Sequence, residues 1–159
     1  MHQTWAVRNS QPKIPTRGQR NTQKILGAVS LHDGKFCYRH QSEYFNAQTW
    51  LDYLEDVLMP SFYKRRRRVY LVLDNASYHK KQDVFEWYEN NRKKLEVFFL
   101  PAYCPELNPV ERIWQYVRKN ATHNRYFDTK EGLCETLFAT LGDIQNNPQK
   151  IMGRLRPYF

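Results

Sequence analysis

Val69-Tyr70-Leu71-Val72-Leu73-Asp74-Asn75 is an unbroken apolar run that ends on an acid and an amide. Apolar side chains at nearly every position, rather than at every second one, mark a central strand covered on both faces. Asp74 stands where that strand hands over to a loop. In open α/β sheets ligands gather at the carboxyl ends of strands. The simpler alternative is that Asp74-Asn75 starts a turn, since both side chains bond their own backbone. Asn75 alone could do that, which favours a site.

Downstream of this strand the periodicity predicts a helix over about 80–94, with Val84, Phe85 and Tyr88 toward the core. Leu95–Leu100 is a second short strand. Strand, helix, strand at this spacing is a βαβ unit, so the two strands are expected parallel with a right-handed crossover. Residues 101–108 form a Pro-rich loop, and a helix begins at Pro109 and runs to about Asn120. Its buried stripe is Val110, Ile113, Trp114 and Val117, so Trp114 reads as core rather than as a base-stacking platform. A last helix is expected over about Thr129–Leu141, with Gly142 as its C-cap.

Upstream, Ile25–Leu31 and Lys35–His40 flank His32-Asp33-Gly34 and read as a β-hairpin. Asn46 is a helix N-cap, Trp50, Tyr53, Leu54, Val57 and Leu58 recur at helical spacing, and Pro60 is expected to end that helix. Residues 1–24 are polar, carry Pro12 and Pro15, and read as an extended arm or loop. The 159 residues read as one domain, with no internal repeat.

The chain carries a net charge of +9. Seven Lys/Arg, including Arg17 and Arg20, lie in residues 1–40 against one acid, Asp33, and Lys64-Arg65-Arg66-Arg67-Arg68 adds five in a row. Such a field concentrates polyanions and speeds their arrival. The pentad precedes the central strand and so falls at the end opposite Asp74, where it is either a solvated loop or a track for phosphate. Cys37, Cys104 and Cys134 show neither zinc-finger spacing nor a disulfide framework, which fits a reducing cytosol. No stretch reaches the length of a membrane span, so no membrane partner is expected.

Glu111 is the second candidate acid. Asn108, Pro109 and Glu111 form a capping-box pattern, and a first-turn glutamate suits the helix dipole. Glu111 also lies roughly 110° from the centre of the buried stripe, at its rim, where a carboxylate can face a cleft. Both readings stand on spacing alone. His79 is either a phosphate or water contact near Asp74 or a surface histidine at a helix start. Tyr103 is a candidate backbone contact for nucleic acid. Cys104 reads as a small packed side chain, and Glu106 as a more loosely placed alternative acid.

Two stretches carry a resemblance. Leu71-Val72-Leu73-Asp74-Asn75-Ala76-Ser77-Tyr78-His79-Lys80 resembles the second-acid motif of the DDE transposases of bacterial insertion sequences related to the mariner group. Leu100-Pro101-Ala102-Tyr103-Cys104-Pro105-Glu106-Leu107-Asn108-Pro109-Val110-Glu111-Arg112-Ile113-Trp114 is similar to their third-acid motif, with Cys104 where Ser is usual. The separation, 111 − 74 = 37, is close to that family's spacing, and Trp5 with Arg17-Gly18-Gln19 resembles its stretch after the first acid.

The resemblance implies an α/β, ribonuclease-H-like mixed sheet flanked by helices. It implies Mg²⁺ or Mn²⁺ in a two-ion site, Asp74 bridging both ions and Glu111 holding one. It implies DNA as partner, at transposon ends and at the target, and a bacterial, cytoplasmic, nucleoid-associated protein. The basic pentad, Arg17, Arg20, His79 and Tyr103 are the expected DNA contacts.

The family's first acid lies on its first strand, upstream of the tryptophan matched by Trp5, and has no counterpart here; Asp33 sits in a hairpin turn and does not replace it. That first strand is the family's central one. Its loss leaves open edges and three expected outcomes: a partner-supplied strand, a rearranged sheet or marginal stability. The leading expectation is a transposase catalytic domain, N-terminally truncated and weak or inactive by itself, forming homo-oligomers or pairing with an upstream transposase fragment. The alternative is a non-catalytic DNA-binding or assembly fragment that associates with full-length transposase.

Overall fold

A computed structural model describes residues 22–41, 44–102, 104–123 and 125–155. The arm with Trp5, Arg17 and Arg20, and the loop residue Tyr103, lie outside the described residues. The elements are strands β1 (Lys24–Val29), β2 (Phe36–Gln41), β3 (Val69–Leu73) and β4 (Leu95–Phe99), and helices α1 (Ala47–Tyr53), α2 (Met59–Phe62), α3 (Gln82–Asn90), α4 (Pro109–Val117), α5 (Lys130–Asn146) and α6 (Gln149–Leu155).

The hairpin forms as expected. β1 and β2 pair antiparallel from Lys24↔Gln41 to Val29↔Phe36. Gly34 supplies the left-handed backbone of the turn, at φ 70°. β3 and β4 pair parallel, from Val69↔Leu95 to Leu73↔Phe99, with α3 between them in sequence. The two pairs do not join: the described strands make two two-stranded sheets.

Two cores explain the layers. Leu26 and Cys37 from the hairpin, with Leu73 and Leu95 from β3 and β4, share one core with Trp50, Tyr53, Leu54, Leu58, Val84 and Tyr88. One helical layer, α1 to α3, therefore spans both sheets. The opposite face of the hairpin carries Phe36, which packs with Ile113, Val117, Leu137, Leu141, Ile144 and Ile151 of α4 to α6. That second layer sits over the hairpin alone. Tyr70 is 66% exposed and Val72 and Phe98 are each 47% exposed, so the β3–β4 sheet is covered on one face only. The expectation of a strand buried on both faces is corrected here for the described residues. The apolar run is present, but no described helix lies over its second face.

Close packing joins the hairpin to α4. A Cβ at Gly27 would stand 2.7 Å from the Trp114 ring, which occupies the space a side chain would need. Phe36 meets the same indole edge-on at 6.1 Å.

Helix starts follow their caps. Asn46 accepts from Thr49 N and Thr49 Oγ1 accepts from Asn46 N, a complete capping box. Thr129 Oγ1 accepts from Gly132 N. Helix ends depart from expectation. Pro60 does not stop its helix: a π-helical turn, Leu54–Leu58, precedes it, and α2 continues to Phe62. The proline falls in the first turn of α2, where its missing N–H costs nothing. The helix after Asp74 is shorter than expected at both ends: a 3₁₀ turn, Ser77–Lys80, comes before α3, and residues 91–94 turn the chain into β4. Likewise α4 gives way to a π-helical turn at Arg118–Thr122.

Gly142 is no cap. It lies inside α5, which runs on to Asn146 because Leu141 and Ile144 are fully buried. A Cβ at Gly142 would meet nothing within 4 Å. Gly142→Ala is therefore expected to stabilise the chain by about 0.5–1 kcal/mol, since alanine restricts the unfolded chain without a clash. A thermal melt that fails to rise would contradict this.

Candidate functional site

Asp74 follows directly on β3, and its side chain is 54% exposed. Its Oδ1 accepts from Ala76 N at 3.0 Å, so the turn reading is correct as far as it goes. The same oxygen lies 3.2 Å from His79 Nδ1. Oδ2 has no partner among the described residues. The turn therefore uses one of the two carboxylate oxygens.

His79 is 5% exposed, which overturns the surface reading and leaves little of the ring to meet DNA. Trp50 and Tyr78 close on it with centroids 4.3 Å away. Trp50 is fixed in turn by Nε1 donating to Tyr88 Oη at 2.8 Å. The hydrogen bond from His79, joined by that from Ala76, holds the Asp74 carboxyl below its ordinary value of 3.8, against the opposing push of partial burial. A depressed native pKa stabilises the fold above the ordinary carboxylate range and loses that contribution as pH falls through the native value. His79→Ala is expected to return the Asp74 pKa toward 3.8. Side-chain carboxyl NMR titration reads this directly, and an unmoved midpoint would remove His79 from the account.

Asn75 does more than turn the chain. Its Nδ2 donates to Leu100 O at 2.6 Å, and Lys80 Nζ donates to its Oδ1. Leu100 N donates to Leu73 O at 2.8 Å. The ends of β3 and β4 are thus latched together, and the loop leaving β4 starts from a fixed point. That loop carries a 3₁₀ turn, Pro105–Leu107, and reaches Asn108, whose side chain accepts from Val110 N at 3.3 Å. The residues around Asn75 by themselves indicate only the turn. Its register opposite the end of β4 is what makes it a latch, and no local pattern announces that.

Glu111 is the third residue of α4, and its N–H donates to Asn108 O at 3.0 Å. Its half-buried carboxylate makes no bond back to the Asn108 amide, so only half of the capping box forms. The carboxylate is left free of hydrogen-bond and ion-pair partners among the described residues.

The two acids meet. Asp74 and Glu111 both line a small cavity of about 210 Å³, with Asn75, Leu100, Pro101, Cys104 and Asn108 forming the rest. Carboxylate oxygens are hard donors suited to Mg²⁺ or Mn²⁺, and both acids line this one space. Among the described residues no group of three or more metal-ligating side chains is present. Asp33 is at the hairpin turn, with Oδ1 accepting from Lys35 N, and does not line the small cavity that the two acids share.

Lys64 through Arg68 lies in the turn before β3, exposed, with Arg66 in the left-handed region at φ 71°. β3 is five residues long, which puts the pentad about 17 Å from Asp74 at the rise of a strand. Arg68 is engaged, donating to Arg92 O at 2.6 Å and pairing with Glu96 at 2.9 Å. Lys64, Arg65, Arg66 and Arg67 have no hydrogen-bonded or ion-paired side chains among the described residues.

Parallel β3 and β4 with an acid at the outlet of one, an antiparallel hairpin beside them and a second acid on a following helix define a ribonuclease-H-like core. The comparisons with known proteins agree and go further. The sequence pattern of the family described as DDE superfamily endonuclease matches residues 1–134, and the chain belongs to that family. The "Insertion element IS630 uncharacterized 39 kDa protein" of Shigella sonnei is 29% identical over 121 residues, which are 76% of this chain and 34% of that protein. "Uncharacterized protein y4pE/y4sA" of Sinorhizobium fredii (strain NBRC 101917 / NGR234) is 33% identical over 83 residues, 52% of this chain and 58% of that one. The chain thus spans about a third to three-fifths of these curated relatives. Among solved structures, that of the Mos1 Strand Transfer Complex superposes at a TM-score of 0.57 with 19% identity, covering 99% of this chain and 51% of that one. The resemblance to insertion-sequence and mariner-related transposases therefore holds, and the ribonuclease-H-like fold with it. Divalent-metal dependence is general in the DDE family. No helix among the described residues is long and apolar enough to cross a membrane.

Proposed function

We propose that this chain is the catalytic portion of a transposase, in which Asp74 and Glu111 hold divalent cations for cleavage and strand transfer of DNA at insertion-sequence ends. The observation that supports this is the shared cavity: acids 37 residues apart in sequence, on separate elements, line one space. When bound, Mg²⁺ or Mn²⁺ supplies charge neutralisation at the reacting phosphate and lowers the pKa of water. The chain's own part is to hold the acids still. His79 and Ala76 fix Asp74, Asn75 latches the strand ends, and Asn108 starts the helix that brings Glu111. Lys64, Arg65, Arg66 and Arg67 attract the polyanion without touching the acids.

With two acids rather than three, the isolated chain is weak or inactive in cleavage. The assay is cutting of insertion-sequence end DNA with Mg²⁺, and robust cutting that disappears in Asp74→Ala would refute the inactive reading. The second reading, a DNA-binding or assembly fragment, is favoured by the exposed pentad. It expects duplex binding that weakens steeply with salt and is indifferent to Asp74→Asn and Glu111→Gln. Binding that needs both acids and added metal would exclude it.

A further inference from the structure

The 3₁₀ turn Ser77–Lys80 grips the two residues that leave β3, one after the other. His79 Nδ1 stands 3.2 Å from Asp74 Oδ1, and Lys80 Nζ donates to Asn75 Oδ1. Each grip spans five residues, so neighbouring side chains of one turn hold neighbouring side chains of the strand outlet. The first grip fixes an acid. The second acts on the link between the strand ends, because Asn75 Nδ2 donates to Leu100 O at 2.6 Å. Lys80 is exposed, and an exposed lysine is ordinarily a solvated charge. Two contacts set this one apart. Its ammonium is bonded to the outlet of β3 through Asn75, and it stands 5.0 Å from the centre of the ring of Phe99, the last residue of β4. That is within the range of a cation–π contact. The side chain thus straddles both strand ends without lining the small cavity itself.

A carboxamide by itself is ambiguous. Turned by half a revolution, it fills the same space with oxygen and nitrogen exchanged. The neighbours of Asn75 remove the ambiguity. An ammonium only donates and a carbonyl oxygen only accepts, so both are satisfied with Oδ1 toward Lys80 and Nδ2 toward Leu100. The reverse sets donor against donor and acceptor against acceptor. The charge on Nζ also polarises the amide and strengthens the bond its nitrogen donates. That bond matters to the site. Asn75 and Leu100 both line the cavity of Asp74 and Glu111, and the chain runs on from Leu100 through the loop to Asn108 and Glu111.

We propose that Lys80 is a positioning residue for the candidate metal site: it sets the Asn75 amide, and through it the placement of the loop that leads to Glu111 against Asp74. The proposal rests on the reading of the two acids as cation ligands. The sign of the effect separates positioning from simple charge. As a bare positive charge bonded to a wall residue of the cavity, Lys80 would repel a cation, and its removal would tighten cation binding. As a positioning residue, its removal loosens cation binding.

The test compares the 159-residue chain with Lys80→Met, which keeps the stem and loses every donor, and with Lys80→Arg, which keeps donors and charge. Mn²⁺ binding is read by electron paramagnetic resonance at about 0.15 M salt, where the Debye length is about 8 Å. Exchange of the Asn75 side-chain amide protons is followed by NMR, with a urea transition for each variant. Lys80→Met is expected to weaken Mn²⁺ binding about tenfold, the lower end for a supporting contact around a metal. It is also expected to speed the Asn75 amide exchange about fivefold or more, with the urea midpoint little changed. Lys80→Arg is expected to stay within about threefold of the parent in both. Mn²⁺ binding that is equal or tighter in Lys80→Met overturns the proposal. So does unchanged Asn75 exchange, or a loss in Lys80→Arg as large as that in Lys80→Met. A parent chain that binds no Mn²⁺ sinks the reading of the acids instead, and the amide exchange then decides on Lys80 alone.

Discussion

Asp74→Asn combined with Glu111→Gln is expected to weaken Mn²⁺ binding by more than about 100-fold, while the fold stays intact. Losing a mere supporting hydrogen bond around a metal typically costs 10–100-fold, and here both carboxylates that line the cavity are lost. Structure should survive because neither carboxylate holds the core. Asp74 is half exposed, Asn at that position can still accept from Ala76 N, and the Glu111 side chain bonds to nothing described. Free Mn²⁺ is read by electron paramagnetic resonance, with a urea transition recorded alongside. An affinity within a fewfold of the parent, at unchanged stability, would place the metal elsewhere. The single substitutions are informative too. If the ion bridges the two acids, either change alone should produce most of the loss.

Trp50→Ala is expected to destabilise the chain by about 3–5 kcal/mol, as for other large aromatics removed from cores. Trp50 is 4% exposed and packs against Tyr53, Tyr78 and His79. Its indole N–H donates to Tyr88 Oη, itself in the core, where burial pushes the phenol up to about 12. Trp50→Phe keeps an aromatic ring but loses the N–H and the five-membered ring of the indole, so it leaves that hydroxyl without its donor and is expected to cost less than Trp50→Ala. Equilibrium urea unfolding separates the two. The consequence for the site is sharper than the stability loss. Without the indole behind it, His79 loses the wall that aims Nδ1 at Asp74, so Trp50→Ala should also raise the Asp74 pKa in the fraction that remains folded. Equal stabilities for the Ala and Phe variants would contradict the packing account.

Much of this arrangement was legible in the residues. Local chemistry announces itself: Asn46 and Thr129 cap the helices they precede, His32-Asp33-Gly34 turns the hairpin, and the apolar run into Asp74 pairs with Leu95–Phe99 in parallel. Both candidate acids stand out by the motifs around them, and both line one cavity. What the residues hid depends on partners distant in sequence. His79 reads as a surface residue until Trp50 is known to lie beneath it. Pro60 reads as a stop until a π-helical turn absorbs it. Gly142 reads as a cap, yet burial of Leu141 and Ile144 carries the helix past it. Tyr70 and Val72 read as doubly covered, and the layer that would cover them is not among the described residues.

Gly27 gives this architecture a way to be tuned from afar. The indole resting on its bare backbone belongs to Trp114, one turn beyond Glu111 on the same short helix. The hairpin thus works as an anvil against which the helix carrying Glu111 is gauged. Any larger residue at this position acts as a shim: the Trp114 ring must move, and the helix that carries Glu111 is expected to move with it. A substitution on the far strand could in this way change which cation the cavity prefers, the smaller and stricter Mg²⁺ suffering first. Selection on the ion would then leave its mark in a hairpin that never meets it.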